Sequence, residues 1–298
     1  YLPQKYKIIN FENIRGNIPT RFKKFINSSE NDCFIVAKAA IDRILLNQIP
    51  QFKELKKELK YYIDQCFWTI APLSINPCSP GQGALAIESR IDDNNLNSLL
   101  KKINFKNDFE NVESERKILK DYGGGCHQKI GVSYIYHKHG TVVSKRGEDE
   151  KGSHFEHWYL KDNKKNGSSC NNIKQIYPES LDSYKIYERK KINETGSRIS
   201  SLKNKCIFIS RISALPKQTK INSDNIIWSS GLKTWKQLAS KGIWVNGSSD
   251  GLGEDFDNNI SALTSFPWIK LTHKDAPSSN ITDRIETYEL EKLDFQID

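Results

Sequence analysis

The sequence predicts a mixture of α/β and α+β units, and three stretches carry that prediction. Residues 32–40 (DCFIVAKAA) read as a short apolar strand that runs into a helix over 39–46 (AAIDRILL). Residues 129–136 (KIGVSYIY) read as a strand, with a turn at 137–140 and a return at 141–144, which is a hairpin. Residues 205–210 (KCIFIS) and 225–229 (NIIWS) read as buried strands. The second leads through Ser230 and Gly231 into a helix over 232–240, closed by Gly242, and a third strand over 243–245 (IWV). That run is a compact βαβ unit, so a separate α/β domain is expected from about residue 200 to 298.

Composition narrows the function classes. A chain of 298 residues with 37% hydrophobic and 27% charged residues suits a globular, soluble protein with more than one core, and no apolar run is long enough to cross a bilayer. The six cysteines are widely spaced without CxxC pairing, which argues against a zinc ribbon or disulfide scaffold and for a reducing compartment. With no signal peptide pattern, a cytoplasmic location is expected. The net charge of +9 implies an anionic partner. Because Lys and Arg are spread along the chain instead of forming one stripe, nucleic acid is not favoured. The chain contains no methionine and opens at Tyr1 in mid-pattern, so a fragment is expected.

In chain order, residues 6–14 (YKIINFENI) read as a strand or extended lead-in to RGNIPTR at 15–21. Pro19 and Thr20 suit a helix start, so Arg15 and Arg21 bracket a loop-to-helix junction. Backbone N–H groups at a helix N-terminus favour anions, and two guanidinium forks beside them suit a carboxylate or phosphate. Two ordinary surface arginines would give the same pattern. Residues 52–64 (FKELKKELKYYID) form an amphipathic helix with a solvated face. Residues 71–90 carry Pro72, Pro77 and Pro80, then Gly81-Gln82-Gly83, then an alternating apolar strand over 84–88, which is a crossover loop feeding a strand. Neither the P-loop lysine pattern nor the GxGxxG spacing is present, so no nucleotide site is expected.

Two helices follow, over 92–101 and 109–122. Val112, Ile118, Leu119 and Tyr122 of the second face inward, while Glu113, Glu115, Arg116, Lys117 and Lys120 face out. Then come Gly123-Gly124-Gly125-Cys126. Taken alone, this tetrapeptide reads as a glycine-rich helix cap followed by a small buried cysteine. It equally displays a thiol on a loop beside bare backbone, where a bulky adduct could lie. His137, His139, His154 and His157 suit exposed tips better than a metal site, and no metal is expected. Beyond Lys145 the chain turns polar around an apolar cluster of Phe155, Trp158, Tyr159 and Leu160, and residues 177–201 read as linker or exposed helix.

RGNIPTR at 15–21, AKAAIDRI at 37–44, SPGQGALAIESR at 79–90 and ESERKILKDYGGGCHQKIG at 113–131 resemble successive motifs of the hydroxymethylbilane synthase (porphobilinogen deaminase) family, in its order and at about its spacing. The resemblance covers about the first half of the chain. It implies that Cys126 carries a dipyrromethane cofactor through a thioether, and that Arg15, Arg21 and Arg43 bind the carboxylates of the cofactor and growing pyrrole chain. It implies a transferase of tetrapyrrole biosynthesis that polymerises four porphobilinogen units into hydroxymethylbilane. Its partners would be porphobilinogen and linear pyrrole intermediates, with neither nucleic acid nor membrane, on a monomeric chain. Residues 1–103 would be the tail of the central domains, part of a periplasmic-binding-protein-like domain with its crossover. Residues 104–190 would be a small domain of antiparallel sheet plus helices bearing the cofactor. The family's amino-terminal domain, with its catalytic aspartate, would lie before Tyr1. No catalytic residue is therefore assigned, and the chain alone is expected to be inactive. The βαβ unit with GSSDGLGE at 247–254 more loosely resembles uroporphyrinogen-III synthase, which takes the next step in the same chemistry, so a fused chain is chemically sensible. In that unit Ser229, Ser230, Thr234 and the turn at Ser248-Ser249 could offer donors to carboxylates. The rival readings are a catalytically incomplete fragment and a basic, non-enzymatic binding protein.

Overall fold

The structure is a computed structural model that describes residues 9–125, 128–137, 140–149, 151–161 and 187–293. It is a mixed α/β structure with one antiparallel sheet, one mixed sheet and helices.

Near the chain start, Asn17 caps α1 (Ile18–Ile26) by accepting the Thr20 N–H at 2.9 Å, and Pro19 occupies the first turn, where its missing N–H costs nothing. Next come α2 (Lys38–Leu45) and α3 (Lys53–Ile63), the latter entered through a short 3-10 turn at Pro50–Phe52. The three helices bury Phe22, Ile41, Leu59 and Ile63 in a shared core that Leu263, from near the other end of the chain, completes. Residues 32–37 form no strand, contrary to expectation. Phe34 instead sets its ring edge-on to Phe22 at 5.1 Å and stacks it on Phe25 at 5.7 Å, so the apolar run packs between helices and needs no ladder partner. Residues 9–14 are likewise irregular, and the rest of that expected strand lies outside the described residues.

After the crossover come α4 (Asn94–Ile103) and α5 (Lys106–Asp121), close to their expected bounds. The strand expected over 84–88 does not form, since no described strand lies alongside to complete a ladder; Leu85 is 96% exposed and Ile87 63%. The hairpin forms as β1 (Ile130–His137) against β2 (Gly140–Glu148), and β3 (His154–Lys161) adds a third antiparallel strand from the stretch read only as a polar apolar-cluster region. The helix α5 packs on β1, where the Tyr136 hydroxyl donates to Asn111 at 2.9 Å.

The remaining strands make one six-stranded sheet. They are β4 (Tyr187–Lys191), β5 (Cys206–Ile209), β6 (Ile226–Ser229), β7 (Gly247–Ser248), β8 (Trp268–His273) and β9 (Arg284–Lys292), ordered β4-β9-β8-β5-β6-β7. All its pairings are parallel except β4 with β9. The helix α6 (Thr195–Ser200) and α7 (Leu232–Ala239) cover one face over a core of Ile199, Ile207, Ile209, Ile227, Leu238, Leu271 and Ile285. The stretch read as linker or exposed helix thus supplies an edge strand, β4, and a short helix, α6. The third strand of the βαβ unit sits later than expected, because residues 243–245 form no ladder and β7 pairs with β6 at Gly247 and Ser248. Only glycine fits at 247, where a Cβ would stand 2.3 Å from the Trp228 ring.

One irregular segment joins these units. The Thr69 hydroxyl donates to the Val245 carbonyl at 2.9 Å, the Ile70 N–H to Asn246 at 2.8 Å, and the Trp244 indole to the Trp68 carbonyl at 3.0 Å. Ser74 donates its N–H to Asp250 at 3.0 Å, and its hydroxyl also bonds that carboxylate. A few residues on, Ser133 and Ser144 of the three-stranded sheet donate to the Leu73 and Ser74 carbonyls, Arg146 donates to Ile75 at 2.6 Å, and Val132 N–H donates to Cys78 at 2.8 Å. No described helix is long and apolar enough to cross a membrane.

Asn246 is the residue on which this joint tests most directly. It is buried, accepts from the Ile227 N–H at 2.9 Å and donates to the Trp68 carbonyl at 2.9 Å. Asn246→Ala orphans the Ile227 N–H, at about 1–3 kcal/mol, while the Trp68 carbonyl keeps the Trp244 indole, so urea unfolding should show a loss of about 1–3 kcal/mol. A loss below about 0.5 kcal/mol would mean that water replaces the lost bond.

Candidate functional site

Three of the four sequence-predicted site residues lie among the helices. Arg15 and Arg21 flank the turn into α1, where Gly16 takes φ +130°. The Arg21 Nε–H donates to the Gly16 carbonyl at 2.6 Å, and Lys24 donates to the Arg15 carbonyl at 2.9 Å. The turn is thus pinned from α1 itself. A guanidinium carries five N–H donors, and among the described residues none accepts from the Arg21 Nη groups. The Arg15 side chain is exposed and makes no ion pair with a described residue. Arg43 is exposed on the last turn of α2, next to Asp42, which is held by Lys38 one turn earlier. The two arginines of the junction belong to one rigid turn, and Arg43 stands on the neighbouring helix.

The fourth residue, Cys126, lies outside the described residues, which resume at Gln128. The glycines before it are described. Gly123 N–H donates to the Lys120 carbonyl at 3.1 Å and Gly124 N–H to Leu119 at 3.0 Å, with φ of +94° and +67°. This double closure of the last helical turn needs left-handed backbone, so the glycines do act as the cap of α5. Beyond the cap opens a cleft of about 320 Å³, lined by Pro80, Arg116, Leu119, Lys120, Gly124 and Gly125. Its far wall is the crossover loop, tied down where the Gly81 N–H donates to the Glu115 carboxylate at 2.8 Å. Sequence reasoning placed Glu115 outside, yet it is half-buried against this loop. Burial pushes its pKa up, and the Gly81 N–H partly counters that. The cleft was missed too; the signal was a like-charged pair, Arg116 and Lys120, four apart and just before the glycines.

Three other cysteines, Cys66, Cys78 and Cys206, are held as thiols. Burial drives the Cys206 thiol up to about 12, and it raises Cys66 and Cys78 as well, with the Glu115 charge adding to the last. Three of the serines read as donors, Ser229, Ser230 and Ser249, spend their hydroxyls inside the C-terminal unit. The Ser229 hydroxyl is buried against the Gly247 carbonyl at 3.4 Å, Ser230 donates to Ser210 at 2.6 Å, and Ser249 accepts from the Trp228 indole at 3.2 Å while bonding Asn258 at 2.9 Å. Thr234 is buried and the Ser248 hydroxyl accepts from the Asp250 N–H at 3.0 Å. A second, smaller cleft of about 170 Å³ borders Lys270, Ser279 and Arg284. Lys270 is spent there, bonding Glu254 at 2.9 Å, the Pro277 carbonyl at 3.3 Å and Ser279 at 2.9 Å.

Open guanidinium faces on a pinned turn and a cationic cleft beside glycine backbone are an arrangement that suits carboxylate- or phosphate-bearing ligands. Comparison with known proteins is consistent with that class. Residues 1–98 match the family model described as porphobilinogen deaminase, dipyromethane cofactor binding domain. The match contains Arg15, Arg21 and Arg43 and ends before the glycine run. The chain is 35% identical over 132 residues to the porphobilinogen deaminase of Dictyostelium discoideum, covering 44% of this chain and 35% of that one. It is 34% identical over 141 residues to that of Natranaerobius thermophilus (46% and 40%), and 38% identical over 124 residues to that of Caldicellulosiruptor saccharolyticus (42% and 36%). The chain therefore spans well under half the length of these curated relatives. No solved structure matches it.

The Glu115 tie sets a pH dependence. Folding raises its pKa above the ordinary value of 4.5, so the folded chain favours the protonated form. Its contribution to stability is then fully present below pH 4.5 and falls as pH rises through the higher folded pKa. Glu115→Gln still accepts from Gly81 but does not ionise. The melting temperature of the variant relative to the parent should therefore climb from pH 4 towards pH 7, and a constant difference would show that burial at Glu115 is not felt.

Proposed function

We propose that this chain serves hydroxymethylbilane synthase (porphobilinogen deaminase) chemistry in tetrapyrrole biosynthesis, as a transferase that joins four porphobilinogen units on a dipyrromethane held by Cys126. The observation that carries the reading is that the segment matching the dipyromethane-binding family model contains a pinned turn with Arg15 and Arg21 whose guanidinium faces are open to an anion. The residues fit the group: acetate and propionate side chains are carboxylates, and arginine takes a carboxylate in two parallel N–H···O bonds. Arg15, Arg21 and Arg43 would orient those carboxylates, and Cys126 would supply the thioether sulfur. The bound group supplies the growing end onto which pyrroles are added. In this reading residues 1–103 belong to the periplasmic-binding-protein-like part and residues 104–190 to the small cofactor-bearing domain. The C-terminal unit is a uroporphyrinogen-III-synthase-like domain, a reading supported by its parallel βαβ run and by the chemistry of a consecutive step.

Intact-mass measurement on protein purified from its own cells tests the attachment. The mass should exceed that of the chain by two linked pyrrole units, and Cys126→Ser should remove the excess while Cys33, Cys66, Cys78, Cys170 and Cys206 stay alkylatable after denaturation. A bare, freely alkylated Cys126 would overturn the assignment.

The arginines are tested separately. In the full-length enzyme, Arg15→Ala and Arg21→Ala alter exposed or half-buried side chains, so the fold should persist, while release of hydroxymethylbilane should fall by about tenfold or more as a charge-assisted contact is lost. Parental release from both variants would remove them from the site.

A further inference from the structure

The cleft beside the glycine cap has a charge problem of its own. Arg116 and Lys120 stand four apart on one face of α5, and like charges at that spacing destabilise a helix. Among the described residues neither makes an ion pair, although Glu113, Glu115 and Asp121 lie within a few positions. The Glu115 carboxylate accepts from the Gly81 N–H at 2.8 Å. Interaction with the helix dipole accounts for Lys120 in the last turn, but it fades within that turn and does not reach Arg116. The pair also shares its cleft with Pro80 and with glycine backbone that no Cβ crowds, since an added Cβ at Gly124 would meet nothing within 4 Å. Two cations without an ion pair among the described residues, an apolar wall at Pro80 and Leu119, and a volume of about 320 Å³ suit a small polyanion.

We propose that Arg116 and Lys120 form a carboxylate-binding subsite that seats the acidic side chains of the group attached just beyond Gly125. This rests on the reading that such a group is carried there, and it adds a second set of cations on α5, apart from those of α1 and α2. Arg116 presents the planar fork that matches a carboxylate, and Lys120 adds a point charge one turn on. An anion between them relieves their mutual repulsion. The two residues are positioning groups, since they hold the ligand's side chains and no reacting atom.

The test uses the full chain with Cys126→Ser, so that no attached group fills the subsite, and butane-1,2,3,4-tetracarboxylate as probe, titrated by calorimetry at low ionic strength. Arg116→Gln and Lys120→Gln should each weaken binding by about tenfold, and the double variant should weaken it further. Lys117→Gln, which removes a charge from α5 outside the cleft lining, should bind as the parent does. Equal affinity of parent and double variant, or an equal loss in Lys117→Gln, would overturn the subsite. Circular dichroism of each variant separates loss of binding from loss of fold. Failure of the attachment reading is distinguishable, because it would appear as an absent mass increment at Cys126 while the probe still discriminates the cleft variants.

Discussion

The structure depends on a stretch with no regular secondary structure. From Trp68 to Gly81 the backbone gives its carbonyls and N–H groups to whichever unit lies alongside: first residues 244–250 next to the six-stranded sheet, then β1 and β2, then α5. Irregular backbone that is not exposed must find partners one by one. Here they come from side chains otherwise out of place in a core, such as Ser133, Ser144 and Asn246, which are all buried. These three buried polar residues are thereby explained as docking groups for one segment.

The same segment positions the candidate site. Its Pro-rich end becomes one wall of the cleft, and the Glu115 bond to Gly81 sets that wall against α5. Nearby, the stacked rings of Tyr122 and Phe155, 4.7 Å apart, fasten the end of α5 to β3. The glycine cap therefore emerges between two fixed surfaces.

The C-terminal sheet is built by a different rule. Its central strands are buried on both faces, as parallel strands under helices usually are, and β5 and β6 are buried throughout. The buried cation, Lys270 on β8, is retained by three oxygen partners drawn from two loops, which fixes both loops against the sheet. Ser229 and Ser249 take part in this internal bonding, so hydroxyls that look available in the sequence are already engaged.

Local patterns in the sequence determined the helices, the hairpin and strands β5 and β6, because periodicity and caps act within a few residues. Asn17 before Pro19 and the glycines after Tyr122 each close a helix end without help from afar. The motifs around Arg15, Arg43 and Gly123–Gly125 were legible for the same reason, and the family match over residues 1–98 covers the first two. Pairing was not legible. The apolar runs at 32–37 and 84–88 look like strands, but a strand exists only where a neighbour completes its ladder, and none of the described strands does. The sequence reading assigns no strand to WIKLTH or RIETYELEK, which are β8 and β9; Lys270 sits buried in β8 and is neutralised by loops brought in from elsewhere. The cleft belongs to the same class. Arg116 and Lys120 are adjacent by helix spacing, but Pro80 and Gly125 face each other only after residues 68–81 have docked, and that docking is a property of the tertiary structure alone.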